Sequence, residues 1–434
     1  MGDGSPAVDM ASSNSSTKEA FAEVPKTDNT ASTESLSAPV VRKLVTLRRI
    51  NKIKQLTSSK FVAITVDGWE VVVNTRRVQR QFEEGQVVVY FQIDSFIPDN
   101  DGNFWEEMVM SAELFQKRRG FRVRTVRIGK SSLISQGRVF HLNDYPRIKR
   151  MVLELQELHG EEEGLARAMQ MSFDHVLGVV KWDVDVQDKG RSYGPPPPMI
   201  PSTGLYRIQD MTKLWDKHAA TRVQITEKLD GRTVSIYFVR NDSPFAKCLP
   251  ELHDFADDTD ADERQRRLCV FPHGRVGVCA YGRDLVCAPD SKVWEVLEGL
   301  GIPDRLAGDG RTAVMQGELV GPCVVPGNSL AYDSCDQDEF YAFSLWTEHG
   351  KHDGFDDEET QRHALLCMGV PVVPLVGYFT IGEFGKSVEE MLAKADGQGF
   401  RGEGHVREGF ILKNARENIK IKVISNVWLE KYLG

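Results

Sequence analysis

The chain has 434 residues, 41% of them hydrophobic, and a formal net charge of −9 at pH 7. This length predicts two or three domains with buried cores, and the acidic balance does not exclude RNA binding, because the local field of a basic patch governs phosphate contacts. No apolar run approaches the length of a transmembrane helix and no signal-peptide core is visible. We therefore expect an intracellular protein, cytoplasmic or nuclear, without membrane contact.

The first third of the chain predicts a tail followed by a small β-barrel. Residues 1–40 are rich in Ser, Thr, Ala and Asp, and such a segment buries too little apolar surface to offset its ordering entropy, so a disordered tail is predicted. Residues 41–145 contain short β-branched and aromatic runs separated by Gly and Asp turns, at 61–66, 69–73, 86–93, 121–128 and 136–142. This pattern is typical of a small barrel.

Residues 146–200 are predicted to connect the barrel to a second domain. A helix is expected from Tyr145 to His159, and four successive prolines at 195–198 predict a stiff spacer. Residues 201–434 alternate β-rich runs with helical stretches, such as 291–299 and 385–394, which predicts an α+β domain. Two acidic stretches, 241–268 and 353–359, are expected to be solvated insertions.

Six short clusters follow one another in the second domain, and together they offer an amine, three spaced carboxylates, an aromatic ring and several cations. They are Glu227–Gly231, Tyr281–Arg283, Gln316–Glu318, Phe340–Phe343, Glu408–Lys413 and Lys420–Lys422. Any one of them arises by chance, but the ordered set is a strong signal. The seven cysteines include no Cys-x-x-Cys pair, which argues against a zinc ribbon and a disulfide framework and predicts reduced thiols.

Lys228 is the candidate nucleophile. Strand-like runs flank it, so it is expected at a strand end, where Gly231 lets the backbone approach a nucleotide closely. A lysine amine can attack the α-phosphorus of a nucleotide, but its ordinary pKa of about 10.4 means that it must be activated. Taken alone, the tetrapeptide Lys228–Gly231 favours a surface lysine in a β-turn, and it is the later clusters in order that favour the nucleophile.

Asp230, Glu318 and Glu408 are the candidate metal ligands. Hard carboxylate oxygens suit Mg²⁺, with Mn²⁺ as the alternative, and some of the three are expected to act through water. Lys420 and Lys422 share one face if they lie on a strand, where they could stabilise a developing charge. The alternatives are solvated surface acids and a solvent-facing pair of lysines on an edge strand.

Arg122 and Arg124 are the candidate RNA-binding residues of the barrel. They alternate with Val123, so a strand would give one basic face that could track a phosphate backbone. An ordinary polar barrel face is the alternative.

The ordered clusters resemble those of the covalent nucleotidyltransferases, the superfamily of polynucleotide ligases and mRNA capping enzymes. Segments of the barrel and of the region before Lys228 are similar to those of ATP-dependent RNA ligases that carry an N-terminal OB domain: Val66–Trp69, Val89–Pro98, Gly120–Val123, Ser135–Gly137, Met199–Thr203 and Arg207–Gln209. The resemblance implies an N-terminal OB-fold β-barrel followed by a ligase- or capping-type nucleotidyltransferase domain built on antiparallel sheets, at residues 201–434.

The resemblance also implies the roles of the site residues. Lys228 would form a lysyl-AMP intermediate from ATP. Arg283 would meet the phosphate and Phe343 would stack on adenine; the alternatives are a surface arginine after a turn and simple core packing of the phenylalanine. Glu227, Lys420 and Lys422 would complete the nucleotide site. The substrate implied is RNA with a 3′-hydroxyl and a 5′-phosphate end, in a nicked duplex or an RNA/DNA hybrid, and the role implied is RNA repair or nick sealing.

Two alternatives remain open at this point. A DNA ligase or a capping guanylyltransferase usually carries its OB domain after the Lys-x-Lys cluster, whereas here the β-rich module precedes the core and twelve residues follow Lys422. A non-catalytic OB-fold RNA-binding protein is the other alternative, and retention of the nucleophile, the carboxylates and the lysine pair argues against it. Arg232 departs from the family pattern, which tends to have a small hydroxyl residue there.

Overall fold

The computed structural model describes residues 42–56, 60–75, 80–99, 111–128, 133–182, 191–211, 213–256, 258–322, 337–350, 357–402 and 404–432. The predicted tail, residues 1–40, lies outside these ranges, as does most of the acidic stretch 353–359. No helix of the described residues is long and apolar enough to cross a membrane.

The barrel is built on a five-stranded antiparallel sheet of order β10-β4-β1-β2-β3, beside a four-stranded sheet of order β11-β5-β7-β6 and the hairpin β8-β9. The strands are β1 (Val45–Gln55), β2 (Phe61–Val66), β3 (Trp69–Asn74), β4 (Val87–Phe91), β5 (Ser95–Pro98), β6 (Ala112–Phe115), β7 (Arg118–Arg122), β8 (Thr125–Arg127), β9 (Ile134–Gln136), β10 (Arg138–His141) and β11 (Val180–Lys181). Asp67 and Gly68 join β2 to β3 with positive φ angles of 50° and 81°, as a tight two-residue hairpin turn requires.

The predicted strand over residues 121–128 is wrong, because the chain leaves the sheet after Arg122. Val123 is buried, and its backbone bonds to Ser95 and Asp94 instead of continuing the ladder. Asp94 has a positive φ of 64°, which bends the partner segment. Arg124 therefore lies between β7 and β8 rather than on a strand.

Three helices follow the barrel: α1 (Pro146–His159), α2 (Glu161–Met169) and α3 (Asp174–Leu177). The helix predicted to end at His159 is found, and Tyr145 is its N-cap. We expected this segment to be a linker, but its three helices pack against the barrel. Ile148, Val152 and Ala168 pack into one buried core with Val45 and other barrel residues. The face that they bury belongs to the barrel module, which therefore extends to β11.

The second domain contains two antiparallel sheets. Its strands are β12 (Ser192–Gly194), β13 (Tyr206–Arg207), β14 (Arg222–Lys228), β15 (Arg232–Arg240), β16 (Val270–Phe271), β17 (Gly274–Ala280), β18 (Arg283–Leu285), β19 (Ala313–Val320), β20 (Glu339–Thr347), β21 (Leu375–Thr380), β22 (Gly409–Asn414) and β23 (Ile419–Ile424). The order is β12-β18-β17-β15-β19-β20 in the larger sheet, with β16 beside β17, and β13-β23-β22-β14-β21 in the smaller. Among the strands that the structure describes, β13 and β23 pair in parallel and the other pairs are antiparallel.

Helices of this domain pack against both sheets. They are α4 (Leu214–His218), α5 (Thr259–Cys269), α6 (Lys292–Gly299), α7 (Ile302–Asp309), α8 (Glu358–Cys367), α9 (Ile381–Phe384), α10 (Val388–Ala395) and α11 (Asn426–Tyr432). The acidic stretch 241–268 is not simply a solvated insertion: it contains α5, whose residues Ala261, Gln265 and Leu268 are buried. Asp260 and Glu263 of that helix are exposed.

The barrel is joined to the second domain by buried polar contacts. Arg48 donates to Asp67 at 3.0 Å, to the Gln209 carbonyl at 3.1 Å and to Asp210 at 2.9 Å. Gln92 donates to the same Asp210 carboxylate at 2.8 and 3.0 Å. Asp210 lies three residues after Arg207, the end of β13, which pairs with β23 at Lys422. This junction therefore sets the barrel beside the strand that carries Lys422.

Candidate active site

Lys228 is the last residue of β14, and the neighbouring strand β22 begins directly opposite it. Lys228 is paired with Gly409 in the ladder, so Glu408 lies immediately beside the lysine. The Lys228 Nζ donates to Glu408 Oε2 at 2.7 Å and to the Leu229 carbonyl at 3.3 Å. Gly409 is required here: its φ is 153°, and a Cβ atom would collide with the Val423 carbonyl of β23.

The environment of Lys228 keeps its amine protonated. Burial alone would lower the Lys228 pKa, but the nearby carboxylates of Glu408, Glu318 and Asp230 outweigh it and raise that pKa. The lysine is therefore held as an ammonium ion in this state. An anionic nucleotide and a divalent cation beside these carboxylates would remove part of that stabilisation.

Glu318 enters the cleft from the larger sheet. It lies on β19 opposite Thr233 of β15, whose hydroxyl donates to Glu318 Oε2 at 3.1 Å. Burial raises the Glu318 pKa to about 7, with Lys228 opposing the shift. A buried carboxyl that titrates near neutrality is a frequent mark of a functional site.

The three carboxylates surround the lysine but do not form a closed metal cage. Within the described ranges, no three His, Cys, Asp or Glu side chains lie close enough to hold a metal ion directly. Mg²⁺ usually keeps several waters and takes one or two carboxylates together with substrate phosphates. Asp230, Glu318 and Glu408 therefore fit a hydrated Mg²⁺ or Mn²⁺ ion, and their role as ligands stays a prediction.

Lys420 and Lys422 lie on β23, and their side chains face the cleft. The alternate residues Ile419, Ile421 and Val423 are buried in the core of the smaller sheet, so the two lysines share the opposite face. Burial lowers the Lys422 pKa to about 7, and the positive charges of Arg207, Lys228 and Arg42 add to the shift. Burial also lowers the Lys420 pKa. A bound phosphate would offset this clustering of positive charge.

Arg207 is a candidate phosphate ligand to which the sequence assigned no role. It lies on β13, paired in parallel with Lys422, and its guanidinium stacks 5.2 Å from the Trp69 ring centroid of the barrel. Its Nε and Nη1 atoms are buried and have no hydrogen-bond partner among the described residues. Buried donors without acceptors fit an anionic ligand. The resemblance of residues 207–209 to a segment of RNA ligases was the one feature of the sequence that could have pointed to Arg207.

Phe343 lies on the cleft face of β20, and a lysine lies beside it. Phe340 and Ala342 point into the core of the larger sheet, so the alternation turns Phe343 and Tyr341 the other way. The Lys413 Nζ lies 4.3 Å from the Phe343 ring centroid and donates to the Phe343 carbonyl at 3.4 Å. Burial lowers the Lys413 pKa to about 8. No role was predicted for Lys413 from the sequence.

Residues 221–427 match the family model for RNA ligase, and residues 44–142 match a model for an OB-fold domain. The chain carries an RNA ligase domain. Similar solved structures include Naegleria gruberi RNA ligase with PPi, a mutant of it with ATP and Mn, and a mutant with AMP and Mn. Each is 22% identical; they cover 91%, 91% and 90% of this chain and 99% of theirs, with TM-scores of 0.64, 0.63 and 0.64. No match was found among curated proteins.

The likeness to these structures confirms the predicted fold, an OB-fold barrel followed by a ligase domain built on antiparallel sheets. Within the RNA ligase domain, the structure brings together Lys228, Asp230, Glu318, Glu408 and Lys422 around one end of the cleft. Phe343, Lys413 and Lys420 form a second group, in which Lys413 and Lys420 are directly opposite across β22 and β23.

Two predicted nucleotide-binding residues of the RNA ligase domain have other contacts. Glu227 is buried, and its carboxylate accepts the Phe400 backbone N–H at 3.1 and 3.2 Å. Arg283 lies on β18 with an exposed side chain, which donates to Ser192 Oγ at 3.2 Å. The Arg232 guanidinium stacks 3.9 Å from the ring centroid of Tyr281, two residues before Arg283. The roles predicted for Glu227 and Arg283 remain predictions.

The predicted basic face of the barrel does not form. Arg122 pairs with Asp94 at 3.3 Å and lies 5.1 Å from the Trp182 ring centroid. Arg124, which lies beyond the strand, donates to both oxygens of Glu113 at 2.7 and 2.8 Å. Each arginine is thus matched by an acid from a neighbouring segment. Their role in binding RNA stays a prediction, but no shared strand face supports it.

Proposed function

We propose that this protein is an ATP-dependent ligase that joins the 3′-hydroxyl and 5′-phosphate ends of RNA. The single observation that carries the proposal is the position of the Lys228 amine within 2.7 Å of Glu408, among three carboxylates and beside the buried cation Lys422. Nucleotidyl transfer requires a nucleophile, carboxylates that can hold a metal ion, and cations that can bind the phosphates, and this arrangement brings all three together. The RNA ligase match at residues 221–427 supports the choice of substrate class.

In the first step, the unprotonated Lys228 Nζ attacks the α-phosphorus of ATP. A phosphorus–nitrogen bond forms, the bond to the bridging oxygen breaks, and pyrophosphate leaves. Because Lys228 is protonated in the free protein, it must first lose a proton to solvent. Lys422 and Arg207 are placed to bind the phosphates, and Phe343 is placed to stack on the base. A divalent ion held by the carboxylates would supply charge neutralisation and help to lower the lysine pKa.

In the next two steps, the AMP group moves to RNA. The RNA 5′-phosphate attacks the lysyl-AMP phosphorus, and Lys228 leaves as an amine. The RNA 3′-hydroxyl then attacks the activated 5′-phosphate, and AMP is expelled. The related Naegleria gruberi RNA ligase has been solved with ATP and Mn and with AMP and Mn, which supports the same nucleotide and a divalent ion here. We expect the protein to act inside the cell, in the cytoplasm or nucleus.

The test is incubation with α-labelled ATP or GTP and Mg²⁺, followed by denaturing electrophoresis and then by a sealing assay on nicked RNA. Label retained from ATP, together with joining of a 5′-phosphorylated strand, is expected. Label from GTP alone would identify a capping-type enzyme. Absence of label from either nucleotide would contradict the proposal.

A further inference from the structure

A recess opens beside the carboxylates of the cleft, and a short hairpin forms its outer wall. Its lining consists of Glu227, Asp230, Gly399, Phe400, Arg401, His405, Val406 and Glu408. Two of these, Asp230 and Glu408, belong to the set around Lys228. The outer wall comes from the segment between α10 and β22, residues 397–407, which we name the 397–407 hairpin; its residue 403 lies outside the described ranges.

The 397–407 hairpin is held in place by backbone hydrogen bonds within itself and by a hydrogen bond to a side chain of the nucleophile strand. Gly399 N–H donates to the His405 carbonyl at 2.7 Å, and Arg407 N–H donates to the Gly397 carbonyl at 3.0 Å. Phe400 N–H donates to the buried Glu227 carboxylate, one residue before Lys228. The hairpin therefore has a defined position relative to the lysine before any ligand binds.

The hairpin presents an aromatic ring and positive charge at the mouth of the recess. Phe400 is 39% exposed, although its ring packs edge-on against Tyr341 with centroids 5.7 Å apart. The Arg401 guanidinium lies 5.5 Å from the Phe400 ring centroid and pairs with Glu339. Lys431 of α11 reaches the hairpin and donates to the Gly404 carbonyl at 2.8 Å. A half-exposed ring beside cations is typical of surfaces that stack nucleic-acid bases.

The adenine of ATP already has a candidate position elsewhere, against Phe343 on the cleft face of β20. The recess instead adjoins Asp230 and Glu408, where the reacting phosphorus must lie for Lys228 to reach it. An RNA end that receives AMP from Lys228 has to approach that same phosphorus. The nucleotide next to the join therefore passes the 397–407 hairpin.

We infer that Phe400 forms a stacking site for the base of the terminal nucleotide of the RNA being joined, at the mouth of the recess beside Asp230 and Glu408. The inference rests on the proposed function, since it takes Lys228 as the nucleophile. It adds an RNA contact on the ligase domain itself. Because an aromatic ring can stack on any base, the site would bind RNA ends without preference for their sequence.

The experiment compares Phe400→Ala, Phe400→Trp and, as a matched control, Phe379→Ala, which removes another exposed ring (38%) from the same domain. Each variant is assayed for lysyl-AMP formation with ATP, and for sealing of a nicked duplex whose 5′ end is already adenylylated, without ATP. Phe400→Ala should weaken binding and sealing of the adenylylated nick about tenfold, more than it lowers lysyl-AMP formation. Phe400→Trp should retain sealing, and Phe379→Ala should match the wild type.

Equal sealing by Phe400→Ala and Phe379→Ala, with unchanged affinity for the nick, would overturn the inference and leave the proposed function intact. Loss of lysyl-AMP formation as large as the loss of sealing would also overturn it, and would place Phe400 at the ATP site. A wild-type protein that forms no lysyl-AMP would instead remove the proposed function, and this inference with it. Thermal unfolding of each variant checks that the fold is kept.

Discussion

The charged groups of the cleft and those of the barrel differ in what surrounds them. In the cleft, burial raises the Glu318 pKa to about 7 and lowers the Lys422 pKa to about 7, so both groups are pushed toward their neutral forms. In the barrel, Asp94 is only half-buried: burial would raise its pKa, but Arg42, Arg207 and Arg122 outweigh the burial and lower it. Asp94 finds its cationic partners within the protein, whereas the shifted groups of the cleft would fit a nucleotide and a metal ion, which stays a prediction.

This difference separates a structural use of charge from a functional one. Complete pairs fix the geometry of the barrel and of its junction with the ligase domain. Incompletely matched charges cost stability in the free protein and are retained at sites that bind or react. Substitutions in the two regions should therefore have different consequences, and four experiments test the contrast.

The largest effect is expected from Lys228→Ala. We expect no covalent label from ATP and no sealing of a 5′-phosphorylated RNA, with the fold kept, because no other amine lies at the end of β14. Lys228→Arg should fail equally, since guanidinium stays protonated and cannot attack. Lys386→Ala, an exposed lysine of the same domain, is the control. Persistent label on Lys228→Ala protein would place the nucleophile elsewhere.

The next effect is on stability and concerns the junction. Asp210→Ala leaves Arg48 and Gln92 without their shared carboxylate, although Arg48 keeps Asp67. Removing one partner of a buried ion pair should lower the free energy of unfolding by about 3 kcal/mol. Chemical denaturation measures this against Asp216→Ala, an exposed acid of α4. If Asp210→Ala lowers the free energy of unfolding no more than Asp216→Ala does, the junction is solvated. The ion pairs of the barrel would then not have the structural role assigned to them above.

A smaller effect is expected from pH. Lys422 loses its positive charge as pH rises through about 7, and Glu318 gains a negative charge over the same range. Both changes disfavour an anionic ligand, so the affinity for ATP without divalent metal should fall between pH 6 and 8, by at most about tenfold, or 1.4 kcal/mol. Lys422→Met should flatten the curve and Lys386→Met should not. ATP itself titrates here, so the difference between wild type and variant is the measure. An unchanged slope in Lys422→Met would show that Lys422 does not titrate near pH 7.

The smallest effect is expected from the double substitution of Arg122 and Arg124 by Ala. Both guanidinium groups are already paired with carboxylates of the barrel, so each would have to give up its acid to bind a phosphate. We expect the slope of log affinity for RNA against log salt to change by less than about 1. Arg167→Ala with Arg240→Ala, two exposed paired arginines, is the control. A slope change near two would show that both residues contact phosphates and would restore the basic-face hypothesis.

The sequence predicted the fold class and the cluster around Lys228 because short motifs carry both. The Lys228 and Glu408 motifs lie at the ends of adjacent strands, and alternation puts Lys420 and Lys422 on one face of β23, so local patterns are enough. The helix over Tyr145–His159 was predicted within one residue for the same reason. Its buried face was not assigned, because periodicity shows that a helix has an apolar side but not which core receives it.

The remaining features depend on contacts between distant segments. Arg207 lies beside Lys422 because β13 and β23 pair in parallel. No local sequence pattern predicts that pairing. Arg122 and Arg124 meet Asp94 and Glu113 only because neighbouring segments of the barrel adjoin them. The position of Phe400 also depends on a distant segment, because its backbone N–H donates to the Glu227 carboxylate. Nothing in the sequence Gly399–Arg401 indicates that partner.

Gly409 links two parts of the active site that are usually considered separately. It follows Glu408 as the first residue of β22, the strand paired with the lysine strand β23, and a Cβ atom there would push against the Val423 carbonyl of β23. Any side chain at this position would thus displace the carboxylate and the lysine strand together. The mutational histories of these motifs should therefore be coupled: a substitution of Gly409 would need compensation in both strands at once, and a tolerated replacement should be rarer here than at either flanking position.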